Sequence, residues 1–125
     1  MLRIGTTVLN VADLGRATTF WCEALGYRTR DDPPDDEFRT LVPRGGDGPR
    51  LSLQLSDRHA PDVPHVHLDL YADDTADQRA QIHRLVDLGA TVVDWPLYGP
   101  EPRDFEVLAD PDGNRFCVID TSFGG

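Results

Sequence analysis

A chain of 125 residues has the length of one ordinary domain and buries roughly two-thirds of the surface its unfolded form exposes. Its formal net charge is −10 and all 12 basic residues are arginine; a long-range field of that sign repels phosphate, which argues against nucleic acid and anionic membrane as partners and leaves a neutral or cationic small ligand easier to accommodate. No window approaches the ~18 apolar residues of a membrane span, "MLRIGTTVLN" has no signal-peptide pattern, and Cys22 and Cys117 lie far apart without a CxxC pairing, so a cytoplasmic protein with reduced thiols is expected.

In chain order, "LRIGTTVLNV" alternates as a strand does. "DLGRATTFWCEALGY" then places Leu14, Ala17, Thr18, Trp21, Ala24 and Leu25 on one helical face. Asp13 is suited to the N-cap and Gly26 to the C-terminal stop. Three short extended pieces follow, in "YRTRD", "FRTLVP" and "RLSLQLS", separated by the turn-rich "DDPPDDE" and "PRGGDGP".

The second half repeats this order. "HVHLDLYA" reads as a strand and "DDTADQRAQIHRLVDLGA" as a helix with Ile82, Leu85, Val86 and Leu88 on its apolar face; "TVVDW", "DFEVLAD" and "RFCVID" are three more extended pieces. Two copies of β-α-β-β-β, offset by about half the chain, predict an internal repeat. Module one spans about residues 1–57 and module two about 64–123, within a single domain of 1–125.

Strand alternation assigns faces. Thr7, Leu9 and Val11 oppose Thr6, Val8 and Asn10; Leu51, Leu53 and Leu55 oppose Ser52 and Gln54. In module two, Val66, Leu68 and Leu70 oppose His65, His67 and Asp69, and Phe116 and Val118 oppose Arg115, Cys117 and Ile119. The apolar rows suit the two helices, while the mixed rows suit a face open to a ligand. "DPDGN" reads as a tight turn in which Asp and Asn bond their own backbone, Pro fixes φ and Gly takes positive φ.

Three stretches, "VLNVADLGRATTFWCEALGY", "HVHLDLYADD" and "LADPDGNRFCVID", resemble the vicinal oxygen chelate superfamily, which includes glyoxalases, fosfomycin-resistance enzymes, extradiol dioxygenases and bleomycin-resistance binding proteins. The resemblance covers nearly the whole chain. It implies an α+β fold of two βαβββ modules forming an incompletely closed, barrel-like sheet with a concave cleft, and a homodimer. In metal-using members a divalent ion sits in that cleft, held from the first and last strands of each module. By position those places fall here on Thr6, which lies seven residues before Asp13, on Gln54, on His67 and on Cys117, three residues after Asn114. A hydroxyl, an amide, an imidazole and a thiol form a poor set for such an ion, so no metal or other cofactor is expected.

The expectation is therefore a metal-independent protein that binds a small organic molecule, with Thr6, Asn10, Ser52, Gln54, His67, Asp69, Arg115 and Cys117 lining the cleft. Trp95 and Tyr98, from the proline-rich "WPLYGPEP", would stack on a flat ligand. The alternative is a lyase, isomerase or dioxygenase with an atypical metal set, or with His67 as acid-base oriented by Asp69, although residues two apart on a strand rarely touch well. Arg115 is the one cation on the local face able to activate Cys117, which otherwise behaves as a small buried hydrophobe. Cys22, beside Trp21, belongs to the core or an interface, and His59 and His83 belong to the surface.

Overall fold

The computed structural model describes residues 1–30, 35–94 and 103–123. Two compact units divide the chain, Met1–His59 and Ala60–Gly125. Each is a βαβββ module with its own four-stranded mixed sheet, so the strands form no closed barrel among the described residues.

In module one, β1 (Thr7–Val11) leads into α1 (Leu14–Leu25), followed by β2 (Tyr27–Thr29), β3 (Phe38–Pro43) and β4 (Leu51–Leu55). The sheet order is β1-β4-β3-β2, with β1 and β4 parallel and the remaining pairs antiparallel. Asp13 caps α1 by accepting a 3.0 Å hydrogen bond from the Arg16 amide, and Gly26 ends it at φ 69°, a left-handed conformation that costs glycine nothing. The helix packs on β2, β3 and β4. Its buried residues Leu14, Ala17, Phe20 and Trp21 join Val11, Leu41, Leu51 and Leu53 in the core. Phe20 and Trp21 meet edge-on, ring centroids 5.1 Å apart, the geometry aromatic quadrupoles favour. Phe20 was absent from the expected helical face. The strand "LRIGTTVLNV" is also shorter than expected, beginning at Thr7 with Leu2 and Ile4 exposed.

Module two repeats the plan with β5 (Leu68–Ala72), α2 (Thr75–Leu88), β6 (Thr91–Val92), β7 (Phe105–Ala109) and β8 (Arg115–Asp120), in sheet order β5-β8-β7-β6. Here β5 and β8 are the parallel pair. Phe116, Val118, Leu108 and Ala72 are buried and share one face by register, since Leu68 stands opposite Phe116, Leu70 opposite Val118 and Leu108 opposite Phe116.

Two expectations are corrected in this module. The strand expected from His65 begins at Leu68, and Val66 is 78% exposed rather than part of the apolar row. On α2, Leu85 is buried but Val86 is 43% exposed. The polar Gln78 is buried instead, its Nε2 donating to the carbonyls of Val118 at 2.9 Å and Asp104 at 3.2 Å. A buried amide is stable in that place because both its N–H groups have acceptors.

The "DPDGN" turn has the expected chemistry. One carboxylate oxygen of Asp110 accepts from the amides of Asp112 and Asn114, both at 2.9 Å, and Gly113 sits at φ 87°. That fixed turn delivers β8 in register beside β7, with Cys117 opposite Val107.

Candidate functional site

The parallel pairing of β5 with β8 sets Asp69 directly opposite Cys117, and the antiparallel pairing of β8 with β7 sets Cys117 opposite Val107. The next row is Tyr71, Ile119 and Phe105. Paired residues present their side chains on one side of a sheet, so these two rows share a face, opposite the row of Phe116, Val118 and Leu108. A cavity of about 290 Å³ lies on this face, lined by His67, Asp69, Tyr71, Asp104, Phe105, Cys117 and Ile119.

His67 and Asp69 touch, with Nε2 3.0 Å from Oδ1. This corrects the expectation that side chains two apart would not meet. The alternation rule fixes the direction of Cβ, not the reach of an imidazole, and His67 stands just before the first paired residue, Leu68. The side chains of His67 and Asp69 are 29% and 47% exposed, so the pair faces the cavity mouth.

Cys117 lies beneath them, 3% exposed. Burial pushes its thiol up to about 12, and the Asp69 carboxylate adds to this both by its charge and by accepting the S–H hydrogen bond. The thiol is therefore protonated at physiological pH and is not an activated nucleophile. Arg103 opposes the shift; its guanidinium lies 4.7 Å from the centroid of the Phe105 ring, a cation–π contact.

Arg115, the local cation that an activated thiol would need, turns elsewhere. Its Nη2 is 3.2 Å from Asp62 Oδ1, and its buried Nε meets no hydrogen-bond partner among the described residues.

On module one the corresponding face carries a run of hydroxyls. Thr6 and Ser52 share a hydrogen bond at 2.9 Å, and Ser52 and Thr40 share one at 3.2 Å. Ser52 is fully buried, so these mutual bonds satisfy groups that would otherwise be costly. Asn10 and Gln54 stand opposite each other in register and are exposed. Trp95 and Tyr98 lie outside the described residues.

The residues not named as ligand contacts from sequence are Thr40 in module one and Tyr71, Asp104, Phe105 and Ile119 in module two, although alternation already puts Ile119 on the row open to a ligand. Three of the latter had a signal. Tyr71 follows Asp69 by two, Ile119 follows Cys117 by two, and extending the alternation to "DFEVLAD" puts Phe105 on the same face once the register with β8 is known.

The four places at which the resemblance implies a metal do not form a fitting set. Thr6 offers a neutral hydroxyl engaged with Ser52, and Gln54 an exposed amide. A different trio is closer to one, because the ligand atoms of His67, Asp69 and Cys117 all lie within 4.8 Å of one another. Nitrogen, oxygen and sulfur donors together suit a zinc-class ion rather than magnesium or calcium, and deprotonation of the thiol would accompany binding.

Solved structures with this architecture include a possible glyoxalase from Bacillus cereus, at 19% identity and TM-score 0.69, covering 95% of this chain and 99% of that one. The genomically encoded fosfomycin resistance protein FosX from Listeria monocytogenes aligns at 14% identity and TM-score 0.72, covering 98% and 94%. A glyoxalase/bleomycin resistance protein/dioxygenase family enzyme from Burkholderia phytofirmans aligns at 14% identity and TM-score 0.68, covering 91% and 94%. No curated protein matches the chain. The family model of the glyoxalase-like domain matches residues 6–119, and with the paired βαβββ modules this places the chain in the glyoxalase-like domain family, within the vicinal oxygen chelate superfamily.

Proposed function

We propose that this chain binds a small neutral or cationic organic molecule in the module-two cavity, without a metal, as a protein of the drug-sequestering or resistance kind. The observation that carries the reading is the cavity itself. The hydrogen-bonded His67 and Asp69 stand at its mouth with protonated Cys117 beneath them, and Phe105 and Ile119 add apolar lining beside Asp104 and the exposed Tyr71. Convergent polar groups beside apolar side chains are what fix the orientation of a small ligand. Asp69 and Asp104 favour a ligand that donates hydrogen bonds or carries positive charge.

Within module two the proposed contacts extend to Arg115, Trp95 and Tyr98; on module one, Thr6, Asn10, Ser52 and Gln54 are proposed as the ligand-contacting residues of that module's own open face. FosX and a bleomycin-resistance family enzyme among similar structures agree with a resistance role. The proposal includes a cytoplasmic location, from the two free cysteines, and a homodimer, which sedimentation velocity tests.

A thermal-shift panel of small polar amines and neutral aromatic amides, run in EDTA, tests the binding reading. Stabilisation by some member, lost in Asp69→Asn, is expected. A panel that stabilises the protein only after zinc is added contradicts it.

A second reading rests on the 4.8 Å grouping of His67, Asp69 and Cys117. A zinc-class ion bound there would supply Lewis-acid polarisation of a substrate oxygen, for lyase, isomerase or dioxygenase chemistry. The 3.0 Å contact of His67 with Asp69 also suits a metal-free form in which His67 moves a proton and Asp69 orients it. Elemental analysis of protein purified without a His tag separates the metal form, which requires near-stoichiometric zinc. Unchanged turnover in His67→Gln would eliminate the metal-free catalyst.

A further inference from the structure

The chain has nearly twice as many acidic as basic residues, 22 against 12, yet one surface cavity reverses that balance. Arg28, Arg30, Arg44 and Arg50 line an open cavity of about 460 Å³ on module one, with Asp47 the one carboxylate among the described lining residues. One-third of the chain's positive charge therefore meets at one place.

The backbone explains why the cluster forms. Arg28 on β2 stands directly opposite Val42 on β3. The Arg30 amide donates to the Thr40 carbonyl at 2.9 Å and the Arg44 amide to the Gly26 carbonyl at 3.3 Å, so the pairing continues one step at both ends. Arg28 and Arg30 are two apart, as are Val42 and Arg44, and strand alternation sends these side chains to one face of the hairpin. All four arginines are exposed, leaving guanidinium groups within reach of a ligand.

The adjoining "PRGGDGP" loop adds a second feature. A Cβ placed on Gly45 or Gly46 would meet nothing within 4 Å, so the main chain beside the arginines is open to close approach. Glycine loops of this kind let a bulky oxyanion reach backbone amides.

We infer that this cavity is a binding site for a phosphate-bearing small molecule, separate from the module-two cavity and opposite to it in charge preference. Guanidinium forks bind phosphate oxygens in bidentate pairs, and four of them match a ligand with at least two negative charges better than a single carboxylate. At contact distance the four guanidinium groups act on a ligand more strongly than acidic groups farther away, because Coulomb energy falls with separation.

The test is a titration of the full chain with inorganic pyrophosphate in low-salt buffer, followed by amide shifts in nitrogen-edited NMR. Saturable shifts at Arg28, Arg30, Arg44, Gly46 and Gly48 are expected, together with affinity at least about tenfold weaker in R28A/R44A. The double lysine variant R28K/R44K, which keeps the charge but loses the forks, is expected to fall between them. Circular dichroism and the thermal midpoint of both variants report folding, which substitution of exposed side chains leaves intact. Absence of saturable shifts, shifts confined to other residues, or equal affinity in R28A/R44A would each overturn the assignment.

Discussion

Cys117 is held protonated from two directions, by burial and by the Asp69 carboxylate across the β5–β8 pair. With the thiol near 12, its thiolate fraction at pH 8 is at least about a hundredfold below that of an ordinary cysteine. In a Cys22→Ser background, alkylation by iodoacetamide at pH 8 is therefore expected to be slower than in the denatured chain by about that factor. Asp69→Asn removes the neighbouring charge, which lowers the thiol and speeds alkylation; an unchanged rate in that variant would show that Asp69 does not act on Cys117. The row of His67, Asp69 and Cys117 was legible from strand alternation. Their contact was not, because a sequence gives the direction of a side chain's first bond and leaves its torsions open. Arg115 illustrates the same limit. It lies on the expected row, yet its guanidinium turns to Asp62, a partner 53 positions away that no local pattern indicates.

The two helices differ in how their sequences announce them. α1 buries four hydrophobic residues including the fully buried Trp21; its caps and the Leu14, Ala17 and Trp21 face were readable in advance, while Phe20 was not. α2 buries Leu85 and Gln78, so part of its docking is hydrogen bonding to β8 and Asp104, which hydrophobic periodicity cannot reveal. Trp21→Ala is expected to cost about 3–5 kcal/mol through the cavity it leaves, and Asp13→Ala about 1 kcal/mol through the lost cap; chemical denaturation measures both. The start of α2 is tied to the end of β8 by the Thr75 hydroxyl, which donates to Asp120 Oδ2 at 2.5 Å. That bond, with a further contribution from Ser122, holds the Asp120 carboxyl below its usual value. A depressed acid favours the fold at pH above its unfolded value, and this contribution disappears as pH falls through the folded one. Thr75→Val is accordingly expected to be less stable than the parent at pH 7, with the gap closing in acid. A gap independent of pH would mean that the hydroxyl acts through packing.

At the scale of the molecule, the repeat was the most legible feature, since five elements in the same order recur with the same sheet order in both modules. The distribution of charge was the least legible. A net charge of −10 argues against phosphate as an average, but Arg28, Arg30 and Arg44 of the β2–β3 pairing meet Arg50, just before β4, around one cavity, and a sum over a sequence cannot show where its terms meet. In the module-two cavity the proposed ligand is a neutral or cationic molecule that His67, Asp69 and Cys117 would hold without metal. Amide and side-chain NMR of the EDTA-treated protein, titrated with the strongest stabiliser from the amine and amide panel, tests it most directly. Saturable shifts at His67, Asp69, Cys117 and Ile119 are expected, with the compound recovered chemically unchanged. Shifts that appear only with added zinc, or conversion of the compound to a product, would contradict it.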